Sequence, residues 1–90
     1  MLVLPAELTH EHALACCRML AQGMRQQSEP TVVADASALS TFDSSALAVL
    51  LECRREALAA GKKFAVARMP QRLRDLAALY GVADLLPATA

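Results

Sequence analysis

The apolar positions of this chain change period several times, and each change marks an element. Leu2-Val3-Leu4 is a short apolar run closed by Pro5 and predicts a strand. From Glu7 to about Gln27 the spacing turns helical, with Ala13, Cys16 or Cys17, Leu20 and Met24 recurring at steps of three and four. Ser28-Glu29-Pro30 breaks that helix, and Thr31-Val32-Val33-Ala34 predicts a buried strand because its β-branched residues stand together without polar alternation. Asp35 ends the strand, and Ala36 to Thr41 reads as a loop. A second helix is expected from about Ser44 to Ala60, where Leu47, Leu50, Leu51, Ala57 and Leu58 make a wide apolar stripe opposite Glu52, Arg55 and Glu56. Gly61 stops it.

Lys63 to Ala67 predicts another strand, and Pro70 suits the first position of a third helix carrying Leu73, Leu76, Ala77 and Tyr80 at i, i+3, i+4 and i+7. Gly81 ends that helix, and Val82 to Pro87 is expected to pack as a short turn or strand. The order is strand then helix, three times over. Such an order predicts an α/β fold in which right-handed helical crossovers join the strands of a small, mainly parallel sheet.

Composition narrows the function. The 90 residues suffice for one compact domain, and a core with no Trp, two Phe and one Tyr must be built from Leu, Val, Ala, Met and Cys. Nine basic residues balance nine acidic ones, so no overall field draws the chain to nucleic acid or an anionic membrane. The stretch holding Arg54, Arg55, Lys62, Lys63, Arg68, Arg72 and Arg74 is locally basic and reads mainly as a solvated face. Cys16, Cys17 and Cys53 lack metal-ligand spacing and read as reduced, partly buried thiols of a cytoplasmic protein. The longest apolar stretch, Ala46 to Leu51, is far below the roughly 20 residues that cross a bilayer.

Candidate chemistry concentrates in Phe42-Asp43-Ser44-Ser45-Ala46-Leu47, where an acid and two hydroxyls meet the start of the second helix. The first turn of a helix leaves N–H groups unpaired, so one or two of these oxygens are expected to cap it, and the same turn favours an anion such as phosphate. Asp35 and Asp43 also raise acid–base chemistry, but no nucleophile or metal set accompanies them. His10 and His12 point in nearly opposite directions on a helix and read as exposed polar residues. Without a glycine-rich phosphate loop, nucleotide hydrolysis would belong to a partner. The chain reads as a binding protein, not an enzyme.

Val33-Ala34-Asp35-Ala36-Ser37, the Phe42 to Leu47 motif, the leucine-rich helix, Gly61-Lys62-Lys63 and the Arg72 to Gly81 helix together resemble a STAS domain over almost the whole chain. That family includes anti-sigma factor antagonists, sulfate-transporter tails and the MlaB-type cytoplasmic STAS subunit of Mla ABC phospholipid transporters. The ending Leu79 to Pro87 and the start Leu2 to Leu8 look most like the last of these. The resemblance implies a single STAS domain over residues 1–90, without enzymatic activity or cofactor. Such a subunit binds and supports a transporter ATPase in phospholipid transport and outer-membrane asymmetry, as a cytoplasmic protein peripheral to the inner membrane.

The alternative it implies is an anti-sigma factor antagonist switched by an anti-sigma factor kinase. A module holding a lipid or nucleotide in an apolar cleft is a third reading. The partner-binding residues implied are Asp43, Ser44, Ser45, Leu47, Arg72, Asp75 and Tyr80, with Ser45 at the phosphorylated position of the antagonists and Ser44 at the contact hydroxyl of the Mla subunit. Two departures from the family stand out. The family usually has one further strand before Leu2, so the sheet is expected to lack an edge strand and to offer that edge for pairing in a homodimer or complex. Ala46 replaces a common Gly, and its methyl is expected to restrict close approach by a partner.

Overall fold

The computed structural model describes residues 2–26 and 28–88. In chain order the elements are β1 (Leu2–Val3), β2 (Glu7–Leu8), α1 (Ala13–Arg25), β3 (Thr31–Asp35), β4 (Thr41–Phe42), α2 (Ser45–Ala59), β5 (Lys63–Ala67) and α3 (Gln71–Leu79). Short 3-10 turns occupy His10–His12 and Ala83–Leu85. The main sheet is parallel in the order β1-β3-β5, with Leu2 beside Ala34, Val32 beside Phe64 and Ala34 beside Val66. This is the α/β arrangement expected from the alternation of strands and helices, with α1 and α2 as its crossovers.

Side chains alternate across a strand, so the registered pairs share faces. Leu2, Val32, Ala34, Phe64 and Val66 form the face beneath the helices and are all buried. On that side α1 and α2 pack together, α1 against β1 and α2 against β5. The opposite face is more open: Thr31, Val33 and Ala65 are half-buried, and Val3 and Lys63 are exposed. One core joins the sheet to the helices, with Leu4, Leu8, Leu50, Leu73, Val32, Val49 and Val66 as its largest fully buried side chains.

Two segments depart from the sequence reading. Glu7–Leu8 does not open the first helix but pairs in parallel with Thr41–Phe42, a segment expected to be partly loop. In both, an exposed residue precedes a buried one, and the Ala6 carbonyl accepts the amides of Ser40 and Thr41 at 2.8 and 3.0 Å. Burial of Leu8 and Phe42 decides the local structure here, and the helical spacing expected from Glu7 holds only from Ala13. The second helix also differs in part. Ala46, Leu47, Val49, Leu50, Cys53 and Ala57 are buried on it, so Leu47, Leu50 and Ala57 stand as expected, while Leu51 is half-buried and Leu58, about 100° around from Ala57, is 48% exposed.

α2 and α3 each run out into a glycine with positive φ, 75° at Gly61 and 71° at Gly81. After α3 the Val82 amide reaches back to the Ala77 carbonyl at 2.9 Å and the Gly81 amide to Ala78 at 3.1 Å, a Schellman closure that turns Val82 onto the helix side of the molecule. The two edges of the main sheet differ. Beyond β5, Val66 donates its amide to the Pro87 carbonyl at 2.9 Å and bridges in parallel to Ala88. β1 borders the other edge with only two residues.

Candidate functional site

Asp43 stands between β4 and α2 and holds both in place. Its Oδ1 accepts the Ser45 amide at 2.8 Å, satisfying one of the unpaired donors of the first helical turn, and its Oδ2 accepts the His10 amide at 3.1 Å. The Ser45 amide first, and the His10 amide next, hold this carboxyl below the usual carboxylate range. Asp43 is therefore the cap among the three expected candidates, and its carboxylate is engaged within the chain. Ser44 occupies the N-cap position without a side-chain capping bond and is exposed. Ser45 is half-buried. Ala46 is 0% exposed, so its methyl faces the core; the expectation that it would obstruct a partner is corrected by that burial.

An apolar groove opens beside Ser44. It has a volume of about 380 Å³ and is lined by Ser44, Leu47, Ala48 and Leu51 from α2 and by Tyr80 and Val82 after α3. Leu47, only 4% exposed, makes its floor, while Tyr80 is 58% exposed at its wall. The rim thus offers two hydroxyls, and the interior offers aliphatic surface. Leu58 and Leu79, 48% and 78% exposed, add apolar surface on the same two helices.

The remaining expected residues fall around this groove. Arg72 lies with its guanidinium carbon 4.6 Å from the centre of the Phe42 ring and donates from Nη2 to the Phe42 carbonyl at 3.3 Å. It supports the residue before Asp43 and does not line the groove. Asp75 accepts from Gln71 Nε2 at 2.9 Å on the exposed side of α3, also outside the groove. The structure therefore brings Ser44, Leu47 and Tyr80 onto one surface, keeps Asp43, Ser45 and Arg72 off its lining, and leaves Asp75 apart.

Ala48, Leu51 and Val82 were not among the site residues expected from the sequence, where Leu51 was read only as part of the apolar stripe of the second helix. The first two follow Ser44 at i+4 and i+7, a spacing that places them on its face. Val82 arrives only through the reversal at Gly81.

The basic stretch is also resolved into separate contacts. Arg55 pairs with Glu52 and Glu56, and Arg74 donates to the Met69 carbonyl at 3.3 Å. Arg68, a non-glycine residue at φ 54°, grips the buried Asp35 through Nε at 3.2 Å and Nη2 at 2.7 Å, while the Ser37 amide donates to the same carboxylate at 2.9 Å. Arg68 first, and then the Ser37 amide, hold the Asp35 carboxyl well below its ordinary range. Asp35 is thus a structural anchor at the ends of β3 and β5.

Among the described residues, no group of three or more His, Cys, Asp or Glu is placed to hold a metal, and no helix is long and apolar enough to cross a membrane. What the geometry assembles is a small α/β domain with a hydroxyl-rimmed apolar groove on its helical side. The family described as "Mlab, STAS domain" matches residues 1–87, and the chain belongs to it. A search of curated proteins finds no match. Membership supports a STAS-type regulatory or transport-associated role, in a family whose members are generally non-catalytic.

Proposed function

We propose that this chain is the STAS subunit of an Mla-like ABC transporter and that it binds and supports the ATPase, in the service of phospholipid transport and outer-membrane lipid asymmetry. The observation that carries the reading is the groove beside Ser44 in a chain of the Mlab-described family. An apolar interior with polar groups at its margin is the form of a protein-docking surface. The subunit works by contact alone, from a peripheral position on the cytoplasmic side of the inner membrane. Any control over the ATPase then rests on different affinities for its conformational states.

The test is a pull-down of the tagged chain from its native cell in a mild detergent, followed by mass spectrometry. An ABC ATPase is expected in the eluate, and Ser44→Arg is expected to remove it without lowering the urea midpoint of the free subunit. Absence of the ATPase from the wild-type eluate sinks the reading.

The anti-sigma antagonist reading keeps one observation of its own. A phosphate on Ser45, bringing about −1.5 to −2 charges, would stand against the Asp43 carboxylate that holds both the Ser45 and His10 amides, and so would loosen this corner. Phosphate incorporation at Ser45 by a kinase-type anti-sigma factor is its test. Self-association through the β1 edge belongs to the same proposal, since β1 borders the sheet with only two residues. It predicts a mass in light scattering that rises with concentration, and a constant monomer mass would exclude it.

A further inference from the structure

The Ser44 corner rests on little regular structure. β4 has two residues and, among the described residues, ladders only to the two residues of β2, so the sheet alone gives the chain little support where it turns into α2. The corner is fixed by two side chains that tie it in three directions. Asp43 ties it to the His10 turn and to the first amide of α2, and Arg72 ties it to α3.

We propose that Arg72 is a positioning residue for docking, acting through Phe42 on the placement of Ser44 and not by touching the partner. This rests on the reading of the Ser44 groove as the docking surface. The guanidinium satisfies two requirements at one point: it covers the Phe42 ring at 4.6 Å, and it donates to the Phe42 carbonyl at 3.3 Å. Phe42 is 8% exposed, so its ring is held by the core on one side and by Arg72 on the other. The following residue is Asp43, whose two accepted bonds set the direction of the Ser44–Ser45 step. A contact surface held in its bound shape before the encounter loses less conformational freedom on binding, and that difference appears as affinity.

Arg72→Met and Arg72→Lys separate positioning from contact. Methionine keeps an unbranched side chain but removes the charge and the donors, whereas lysine keeps a cation and a donor near the ring. Two measurements are needed: amide hydrogen exchange at Ser45, Ala46 and Leu47, with Val32 and Ala34 of β3 as references, and affinity for the purified transporter ATPase by calorimetry.

The methionine variant is expected to speed exchange at the three corner amides about tenfold and to weaken binding about tenfold, from the combined loss of a cation–π contact and one hydrogen bond. The β3 amides should keep their rates, and lysine should restore part of both effects. Unchanged corner exchange in the methionine variant overturns the proposal, and if binding falls at the same time Arg72 touches the partner directly. Acceleration that includes β3 overturns it too, because the role is then general stability. If the wild type fails to bind the ATPase, the functional reading falls, while corner exchange still decides whether Arg72 holds Ser44 in place.

Discussion

Leu73→Ala tests whether α3, which carries Arg72 and leads into Tyr80, is part of the folding unit. Leu73 is 0% exposed and, with Ala77 at 1%, is one of the two buried residues on the nine-residue helix. Truncation removes about three methylene equivalents, or roughly 2.4 kcal/mol of transfer free energy at about 0.8 kcal/mol each. The cavity adds to this, and Leu→Ala substitutions at buried sites cost about 2–5 kcal/mol in all. A short helix with so few anchors relaxes into part of the space, so about 3 kcal/mol is expected here.

Against the roughly 5–13 kcal/mol usual for a domain of this length, that loss is large. It corresponds to a fall of roughly 12–24 °C in Tm, or of roughly 1–3 M in the urea midpoint. Urea unfolding followed by far-ultraviolet circular dichroism measures it. The sequence supplies a second probe, since Tyr80 is the single Tyr of a chain without Trp and reports on the end of α3. A loss below about 1 kcal/mol, together with a Tyr80 transition at lower urea than the circular-dichroism transition, would refute the argument by showing that α3 is only loosely docked.

Acid stability should depend on Asp35. Its carboxyl lies well below the unfolded value of about 3.9 through Arg68 and the Ser37 amide, so the stabilisation is fully present above that pH and is lost as the pH falls below it. Asp35→Asn is therefore expected to flatten the acid limb of a stability-versus-pH curve; an unaltered limb would count against the anchor. Burial pushes the Cys53 thiol up to about 12, and Cys16 and Cys17 are raised by burial as well, so alkylation near pH 8 should be slow overall and fastest at the half-buried Cys17. Peptide mass mapping reads the order, and rapid labelling of Cys53 without urea would contradict it. At Gly81, φ 71° with open space where a Cβ would stand makes the cost of alanine purely conformational, about 1–2 kcal/mol, and asparagine should recover part of it. Denaturant midpoints of the two variants check this.

Much of the fold could be read from the sequence because the long elements carry their own period. β3, β5, α2 and α3 lie close to the expected residues: β3 is marked by its β-branched run, and α2 and α3 by their apolar stripes and terminal glycines. The two-residue strands β2 and β4 were illegible, since two positions establish no period and their pairing joins Glu7 to Thr41 across the first crossover. At the site, the sequence displayed the hydroxyls but not their surroundings. Ser44, Leu47 and Tyr80 meet across a groove that depends on the reversal at Gly81, which brings the residues after α3 beside α2. The internal engagement of Asp43 with His10 spans residues far apart in the chain and leaves no local pattern to read.

The unequal faces of the main sheet imply an unequal tolerance of change. In a saturation library of β3 and β5, Val32, Ala34, Phe64 and Val66 should accept few replacements, because each meets the helices at close quarters. Thr31, Val33, Lys63 and Ala65, on the open side, should accept many. The pattern would be a comb of period two along both strands, ending where Asp35 and Ala67 become buried again beside Arg68. The freedom to vary is thus confined to one side of the sheet, and drift among relatives can alter that side while leaving the helical side intact.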